Sequence, residues 1–162
     1  YEISCSLVGS EMCIRDSWDR QKAQNEMENR INSFYNDGTK LDAVLAQNDA
    51  EALGTVNAVE GAGWDYYPVI TGQDAEKANV QAIVKGKQSE TVYKDTRELA
   101  KATAQMIKDL VDGKEPEAKD TFNNGTKDVP TQLLTPVSVD KTNLKEVLVD
   151  GGYISAKDAG LE

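Results

Sequence analysis

The sequence predicts an α/β fold, with a parallel sheet flanked by helices. Short apolar runs alternate with longer segments in which apolar residues recur every three or four positions. This alternation of strands with amphipathic helices is typical of a parallel sheet covered by helices. A polar cluster follows each of three apolar runs: Asn48 and Asp49, Gln73 and Asp74, and Lys94 and Asp95. Because ligands of such sheets bind beyond the carboxyl ends of the strands, these clusters are predicted to converge on one edge.

The first two strands and helices follow from the spacing of apolar residues. A helix with Ala23, Met27 and Ile31 on one face is expected to open at Trp18, and the Asn-Asp-Gly turn at 36–38 ends it. The apolar run 43–46 then predicts a strand. The helix after it carries Leu53, Val56 and Val59 and ends at Gly61 and Gly63.

The next two units repeat this order. Residues 68–70 predict a second strand, and the helix around Val80 stops near Gly86. Residues 91–93 predict a third strand, and a long helix from Arg97 ends at Gly113.

The remainder is less regular. The Asn-Asn-Gly sequence at 123–125 predicts a hairpin or a loop. Residues 132–139 predict one more strand, broken by Pro136, and a short helix around Leu148 ends at the glycine pair 151–152.

Composition excludes several functions. The 162 residues contain 18 Lys and Arg, 28 Asp and Glu and no His, for a net charge of −10. An acidic chain without a basic block is a poor nucleic-acid binder, and no apolar run approaches the ~20 residues of a membrane span. Without His, a Ser-His-Asp relay, a Cys-His pair and a His-ligated metal are excluded. No calcium loop, phosphate loop or nucleophile elbow is present, so we expect no metal, no cofactor and no enzyme.

The first seventeen residues are interpreted as foreign to the protein. Residues 7–17 are one translation of the transposase mosaic-end adapter of short-read sequencing libraries, and the residues before them fit the index region. The alternative is a disordered native N-terminus. The segment contains both cysteines and a net charge of −2, so residues 18–162 have no Cys and a net charge of −8. Genomic reads that continue unbroken across codons 10–25 would contradict the adapter interpretation.

The polar clusters suit a neutral polyol. Carboxylates accept sugar hydroxyls, amides both donate and accept, and an ammonium donates. An aromatic ring such as Trp18 packs well on the C–H face of a pyranose. Other interpretations stay open at this point. Asn48, Asp49 and Asp74 are also typical helix N-caps, Lys94 is also typical of a solvated surface, and both Trp18 and Trp64 are also typical packing aromatics, Trp64 more so.

Several motifs resemble one known family. Trp18-Asp19, residues 45–54 (LAQNDAEALG), 69–74 (VITGQD), 91–100 (TVYKDTRELA) and 147–153 (VLVDGGY) resemble type I periplasmic sugar-binding proteins of bacterial ABC transporters, and within them the multiple-monosaccharide binding proteins. The resemblance runs from Trp18 almost to the end. It implies two Rossmann-like lobes that close over a sugar, of which this chain holds one incomplete lobe.

The resemblance also implies roles for individual residues. Trp18 matches the aromatic that stacks on the sugar, Asn48 an amide that binds hydroxyls, and Asp74 a carboxylate at the end of the next strand. Lys94 stands where ribose and galactose binders have an amide, which leaves the sugar open. Supporting positions behind these side chains are expected at Asp49, Gln73 and Asp95; Asp49 supports Asn48 or caps its helix.

The family's architecture divides the chain into segments. Residues 18–95 are expected to be part of the C-terminal lobe, 96–130 to belong to the N-terminal lobe and a crossover, and 131–162 to form the return crossover and tail. The first lobe and the leader sequence are expected to precede Trp18. The chain alone is expected to carry one wall of the site and to bind sugar weakly or not at all.

The implied function is the solute-binding component of an importer for a monosaccharide such as galactose, glucose, xylose or arabinose. Its implied partners are the ABC transporter permease and a chemoreceptor or sensor kinase, and the full-length protein is expected to be monomeric. It is expected in the periplasm, or lipid-anchored outside a cell with one membrane. The alternative is the effector-binding domain of a sugar-responsive transcription repressor, which shares this fold and would carry a DNA-binding domain upstream.

Overall fold

A computed structural model describes residues 18–162, so the adapter interpretation of residues 1–17 lies outside the described part of the chain. Two compact units are present. The first contains residues 18–91 and 139–162, and the second contains Val92–Ser138. Helices alternate with short strands in the first unit, which confirms the predicted α/β class.

The elements up to Tyr93 follow the predicted order: α1 (Arg20–Phe34), β1 (Ala43–Val44), α2 (Asp49–Gly61), β2 (Val69–Ile70), α3 (Lys77–Val84) and β3 (Glu90–Tyr93). Strands β1 and β2 are parallel, with Val44 opposite Ile70. On its other side, Ile70 accepts a hydrogen bond from the Ser89 N–H at 2.9 Å. The chain before β3 thus extends the sheet beyond β2.

Helix α1 begins two residues later than the apolar spacing predicts. Asp19 is the N-cap, since its Oδ1 accepts the Lys22 N–H at 2.8 Å, so Trp18 lies before the helix and does not open it. Trp18 has a φ of 65°, a conformation that a helix cannot contain. The buried face of α1 is as predicted: Ala23, Met27 and Ile31.

The core of the first unit lies between the helices and the β1–β2 pair. One cluster joins the two long helices through Met27, Ile31, Ala58 and Val59. A second joins α2 to the sheet through Ala46, Ala52, Val56 and Ile70. Full burial of each large aliphatic side chain contributes about 1.5–3 kcal/mol, so these two clusters hold the helices against the strands.

Gly54 allows α1 and α2 to approach closely. A Cβ at this position would lie 2.5 Å from the Arg20 carbonyl oxygen and 3.1 Å from the Ala23 Cβ. We expect Gly54→Ala to destabilise the chain by about 1–3 kcal/mol in urea unfolding, because the two helices must move apart. Gly61→Ala is the control, since a Cβ there meets nothing within 4 Å. Equal unfolding midpoints for the two variants would contradict this packing.

The second unit contains a helix and a hairpin. Helix α4 (Thr96–Val111) begins at the N-cap Asp95, and the antiparallel strands β4 (Asp120–Asn123) and β5 (Asp128–Thr131) follow. Their turn contains Gly125 with a φ of 86°, which confirms the predicted hairpin. The strand predicted over 132–139 is absent at residues 132–136, whereas the predicted break at Pro136 is confirmed. One strand ends at Thr131, and β6 (Val137–Asp140) begins directly after Pro136, which has no N–H to donate to a sheet.

The C-terminal segment returns to the first unit. β6 pairs with β3, and a π-helix at Lys145–Asp150 stands where the short last helix is predicted, with Leu148 fully buried. The sequence does not predict α5 (Ala156–Ala159), which is held to α3 by a hydrogen bond of 2.8 Å from Gln81 Nε2 to the Asp158 carbonyl oxygen. No helix in the described range 18–162 combines the length and the apolar character needed to cross a bilayer.

Candidate functional site

The candidate site lies where β1 and β2 end. Since the two strands are parallel, the segments that follow them emerge at the same edge of the sheet. The Asp49 N–H donates to the Gln73 carbonyl oxygen at 2.9 Å. The Thr71 hydroxyl donates to the Ala46 carbonyl oxygen at 3.1 Å. The structure therefore brings the first two polar clusters of the sequence together.

Asn48 caps α2 with one end of its amide. Its Oδ1 accepts the Glu51 N–H at 2.9 Å, and the Glu51 carboxylate in turn accepts the Gln47 N–H at 3.0 Å. This arrangement differs from a capping box by one residue, since the Glu51 carboxylate accepts the N–H of the residue before the N-cap. Because Oδ1 accepts the Glu51 N–H, the cap does not use the two N–H donors of Nδ2. The N-cap interpretation of Asn48 is confirmed.

Asp49 is fully buried directly behind Asn48. Its Oδ2 accepts the Glu76 N–H at 2.8 Å, and its Oδ1 accepts Gln88 Nε2 at 3.0 Å. Burial raises the pKa of Asp49 to about 6, against the lowering effect of the donated hydrogen bonds from Glu76, Gln88 and Thr91. The Asp49 carboxylate therefore binds the backbone of the segment that follows β2. It makes no hydrogen bond to the Asn48 side chain.

Two buried amides that the sequence analysis missed fix this carboxylate. Gln88 Oε1 accepts Asn79 Nδ2 at 2.8 Å, while Gln88 Nε2 also donates to the Glu90 carbonyl oxygen at 3.0 Å. Asn79 Nδ2 donates to the Asp49 carbonyl oxygen at 2.7 Å. These bonds set the orientation of the Gln88 amide, with its N–H group toward Asp49. Asn79 at an inward position of an apolar helix face was the signal available in the sequence.

Asp74 lies at the tip of the segment after β2. Its backbone has a φ of 102°, and Ala75 follows at 53°; both are non-glycine residues in a sterically unfavourable region. The Asp74 side chain is exposed, whereas Ala75 is buried and its N–H donates to the Thr91 hydroxyl at 3.2 Å. Gln73 is half-buried and contributes its carbonyl oxygen to Asp49.

Trp18 lies just before α1, near the same edge. Two residues on, Arg20 forms an ion pair of 3.1 Å with Glu76, at the end of the segment after β2. The start of α1 is thereby held beside that segment. Trp18 is 58% exposed. Trp64, by contrast, stacks on Tyr66 at 5.0 Å between ring centroids and packs against the α1–α2 cluster, which confirms it as a packing aromatic.

Lys94 and Asp95 belong to the second unit. Lys94 is exposed and follows β3 directly. Asp95 is the N-cap of α4 and accepts Arg97 Nε at 2.9 Å and Nη2 at 2.7 Å. The Arg97 guanidinium holds the pKa of Asp95 well below its usual range. The carboxylate is thus engaged within its own unit.

Comparison with known proteins gives a family profile and close relatives. The profile described as "Periplasmic binding protein domain" matches residues 4–115. The multiple sugar-binding periplasmic receptor ChvE of Rhizobium radiobacter is 45% identical over 145 residues, which are 86% of this chain and 41% of that protein. The D-xylose-binding periplasmic protein of Escherichia coli K12 is 41% identical over 138 residues, 85% of this chain and 41% of that protein. The chain thus spans about two fifths of the length of these curated relatives.

Solved structures of solute-binding proteins are also similar to this chain. An ABC transporter solute-binding protein from Clostridium phytofermentans with bound β-D-glucose has a TM-score of 0.82 and 44% identity, over 88% of this chain and 44% of its own. A carbohydrate transporter solute-binding protein from Chloroflexus aurantiacus in complex with D-glucose has a TM-score of 0.80 and 38% identity, over 87% of this chain and 42% of its own.

Proposed function

Because the chain belongs to the periplasmic binding protein domain family, we propose that it forms part of a solute-binding protein that captures a monosaccharide for an ABC transporter. The resemblance drawn from the sequence motifs is confirmed by the family match and by the sugar-binding relatives. The named relatives bind sugars in the periplasm, and two similar solved structures hold glucose, which favours a transport component over a transcription repressor.

One observation carries the proposal: an amide N–H group that the helix cap does not use and an exposed carboxylate lie at the same edge of the sheet. Asn48 Nδ2 offers N–H donors, and Asp74 offers an acceptor on the neighbouring segment. A sugar hydroxyl both donates and accepts, so this pair matches adjacent hydroxyls of a neutral sugar. A pyranose ring has apolar C–H faces as well, and the exposed Trp18 indole supplies a surface for one of them.

The remaining roles follow from the resemblance of the sequence motifs. Lys94 is assigned to a sugar hydroxyl as a donor, with Asp95 behind it, and Gln73 supports the segment that carries Asp74. The site binds and releases an unchanged sugar, so the protein is not an enzyme. The residues that a covalent mechanism would need, a serine in a nucleophile elbow or a histidine base, do not occur in the sequence.

The full-length protein would hand its sugar to the transporter permease. We assign it to the periplasm or, in a cell with one membrane, to a lipid anchor outside that membrane. It acts as a monomer, and a chemoreceptor or sensor kinase is a second partner that could recognise the sugar-bound form. Residues 1–17 are assigned to the adapter and residues 18–95 to part of the C-terminal lobe. Residues 96–130 are assigned to the N-terminal lobe and a crossover, and residues 131–162 to the return crossover and the C-terminal tail.

Calorimetry tests the function directly. The full-length gene product, read from the genome upstream of codon 18, is titrated with D-glucose, D-galactose, D-xylose and L-arabinose. We expect one of these sugars to bind with one site per chain and a Kd on the order of micromolar or tighter. Residues 18–162 alone are expected to give little or no heat. The absence of binding by the full-length protein to every sugar in the panel would refute the proposal.

A further inference from the structure

We propose that Asp49 is a positioning residue for sugar binding, whose buried carboxylate holds residues 73–76 in the conformation that presents Asp74. This inference rests on the proposed function, and it assigns a role that Asp49 plays through other residues. In the expectation from the sequence, Asp49 supports Asn48 or caps its helix. The contacts instead point across the sheet edge, to the segment after β2.

Both ends of the segment are tied to Asp49. The Asp49 N–H donates to the Gln73 carbonyl oxygen at 2.9 Å, and the Asp49 carboxylate accepts the Glu76 N–H at 2.8 Å. Asp74 and Ala75 are the two residues between these bonds. The Asp49 backbone thus holds one end of the segment and the Asp49 carboxylate holds the other, with the proposed sugar-binding residue Asp74 between them.

The held conformation is strained and needs such support. Asp74 and Ala75 have φ angles of 102° and 53°, and each non-glycine residue in this region costs about 1–3 kcal/mol. Such a pair persists only where its surroundings determine it. Two sets of hydrogen bonds hold this pair in place. Asp49 binds Gln73 and Glu76 on either side of it, and the Ala75 N–H donates to the Thr91 hydroxyl at 3.2 Å.

Gly72 leaves the space that the carboxylate occupies. A Cβ at residue 72 would lie 2.2 Å from Asp49 Oδ1 and 2.5 Å from Gln88 Nε2. No larger residue fits there without displacing the carboxylate from the Gln88 amide. The requirement for glycine at this position therefore comes from the room beside Asp49.

The carboxylate must be ionised to make all of its bonds. The Glu76 N–H, the Gln88 amide and the Thr91 hydroxyl act on it as donors, and a protonated carboxyl cannot accept from all of them. Glu76, at the start of α3, is the charged group that acts on the Asp49 carboxylate, and Glu76 is itself paired with Arg20. Gln88 and Thr91, on the β3 side, are neutral. On its own helix, Glu51 is turned to the Gln47 N–H. Acid should therefore release the segment that carries Asp74.

The effect of pH distinguishes a role of Asp49 in sugar binding from a role in the stability of the fold. Since its pKa in the fold is raised to about 6, Asp49 favours the folded state at acid pH, and this contribution is lost as the pH rises through that value. Sugar affinity should change in the opposite sense, because binding needs the ionised form. If only that form binds, Kd rises about tenfold between about pH 7.5 and about pH 5.

The test compares wild type with Asp49→Asn and Gly72→Ala in the full-length protein, by calorimetry with the sugar that wild type binds. At about pH 7.5 we expect each variant to raise Kd at least about tenfold, and we expect the ratio of the Asp49→Asn and wild-type Kd values to fall toward one at about pH 5. The matched control is Asp37→Asn, whose carboxylate caps a turn beyond α1 at the Thr39 N–H; it should leave Kd and its pH profile unchanged.

The outcomes distinguish the two proposals. If wild type binds no sugar, the proposed function fails. If wild type binds sugar and Asp49→Asn keeps its affinity and pH profile, only the positioning role is overturned. If neither variant folds, the amide proton shift of Glu76 in the wild-type NMR spectrum decides: a midpoint near the Asp49 pKa of about 6 supports the role, and an invariant shift overturns it.

Discussion

Replacing Asp74 with alanine is expected to weaken sugar binding by the full-length protein at least about 100-fold, the largest effect of any single side chain on affinity. The carboxylate accepts two sugar hydroxyls in the proposed site, and hydrogen bonds to a charged group are worth about 1.5–3 kcal/mol each. The side chain is exposed at the tip of its segment, so its removal should barely change the core. Calorimetry with the sugar that wild type binds gives the measurement.

Two further variants make the Asp74 result specific. Asp74→Asn keeps a residue type that tolerates positive φ and removes the charge, so a similar loss of affinity assigns the effect to the carboxylate rather than to the strained backbone at 102°. Asp65→Ala removes another exposed carboxylate in the same unit and should leave Kd unchanged. A Kd for Asp74→Ala within twofold of wild type would exclude Asp74 from the site.

The second large effect is expected at Trp18. The indole is 58% exposed in the described chain, and a sugar ring stacked on it would cover much of that apolar surface. At about 25 cal/mol per Å² of covered surface, Trp18→Ala should raise Kd by about tenfold to 100-fold. Intrinsic fluorescence should also change on sugar binding in wild type and lose most of this change in the variant.

The controls for Trp18 use the other tryptophan and a smaller ring. Trp18→Phe keeps a flat ring and should retain most of the affinity. Trp64→Phe alters the stack with Tyr66 and the packing near α1, so it should lower the unfolding midpoint and leave Kd unchanged. The stacking role is wrong if Trp18→Ala binds the sugar as tightly as wild type.

Local patterns predict most of the fold. The positions of α2, α3, α4 and the first three strands follow from apolar spacing and from glycines at helix ends, because these features act within one or two turns of chain. The start of α1 differs because Asp19, not Trp18, satisfies the free N–H groups of the first turn. Apolar spacing does not predict the π-helix at Lys145–Asp150, since an apolar face does not distinguish a π-helix from an α-helix.

The candidate site shows where sequence reasoning stops. Capping and ligand binding are alternatives for Asn48 in the sequence, yet the structure uses Oδ1 for the cap, and the proposed ligand contact is made by Nδ2. The environment of Asp49 depends on Gln88, which is 39 positions away, and on the space beside Gly72. Contacts between residues so distant in sequence arise from packing, and no local spacing encodes them.

A crystal structure of the full-length protein with its bound monosaccharide tests the proposed sugar site most directly. We expect a sugar at the edge after β1 and β2, with the Asp74 carboxylate and Asn48 Nδ2 each within about 3.2 Å of a sugar hydroxyl and the Trp18 ring against a sugar face. A sugar bound elsewhere, in contact with none of these three side chains, would contradict it.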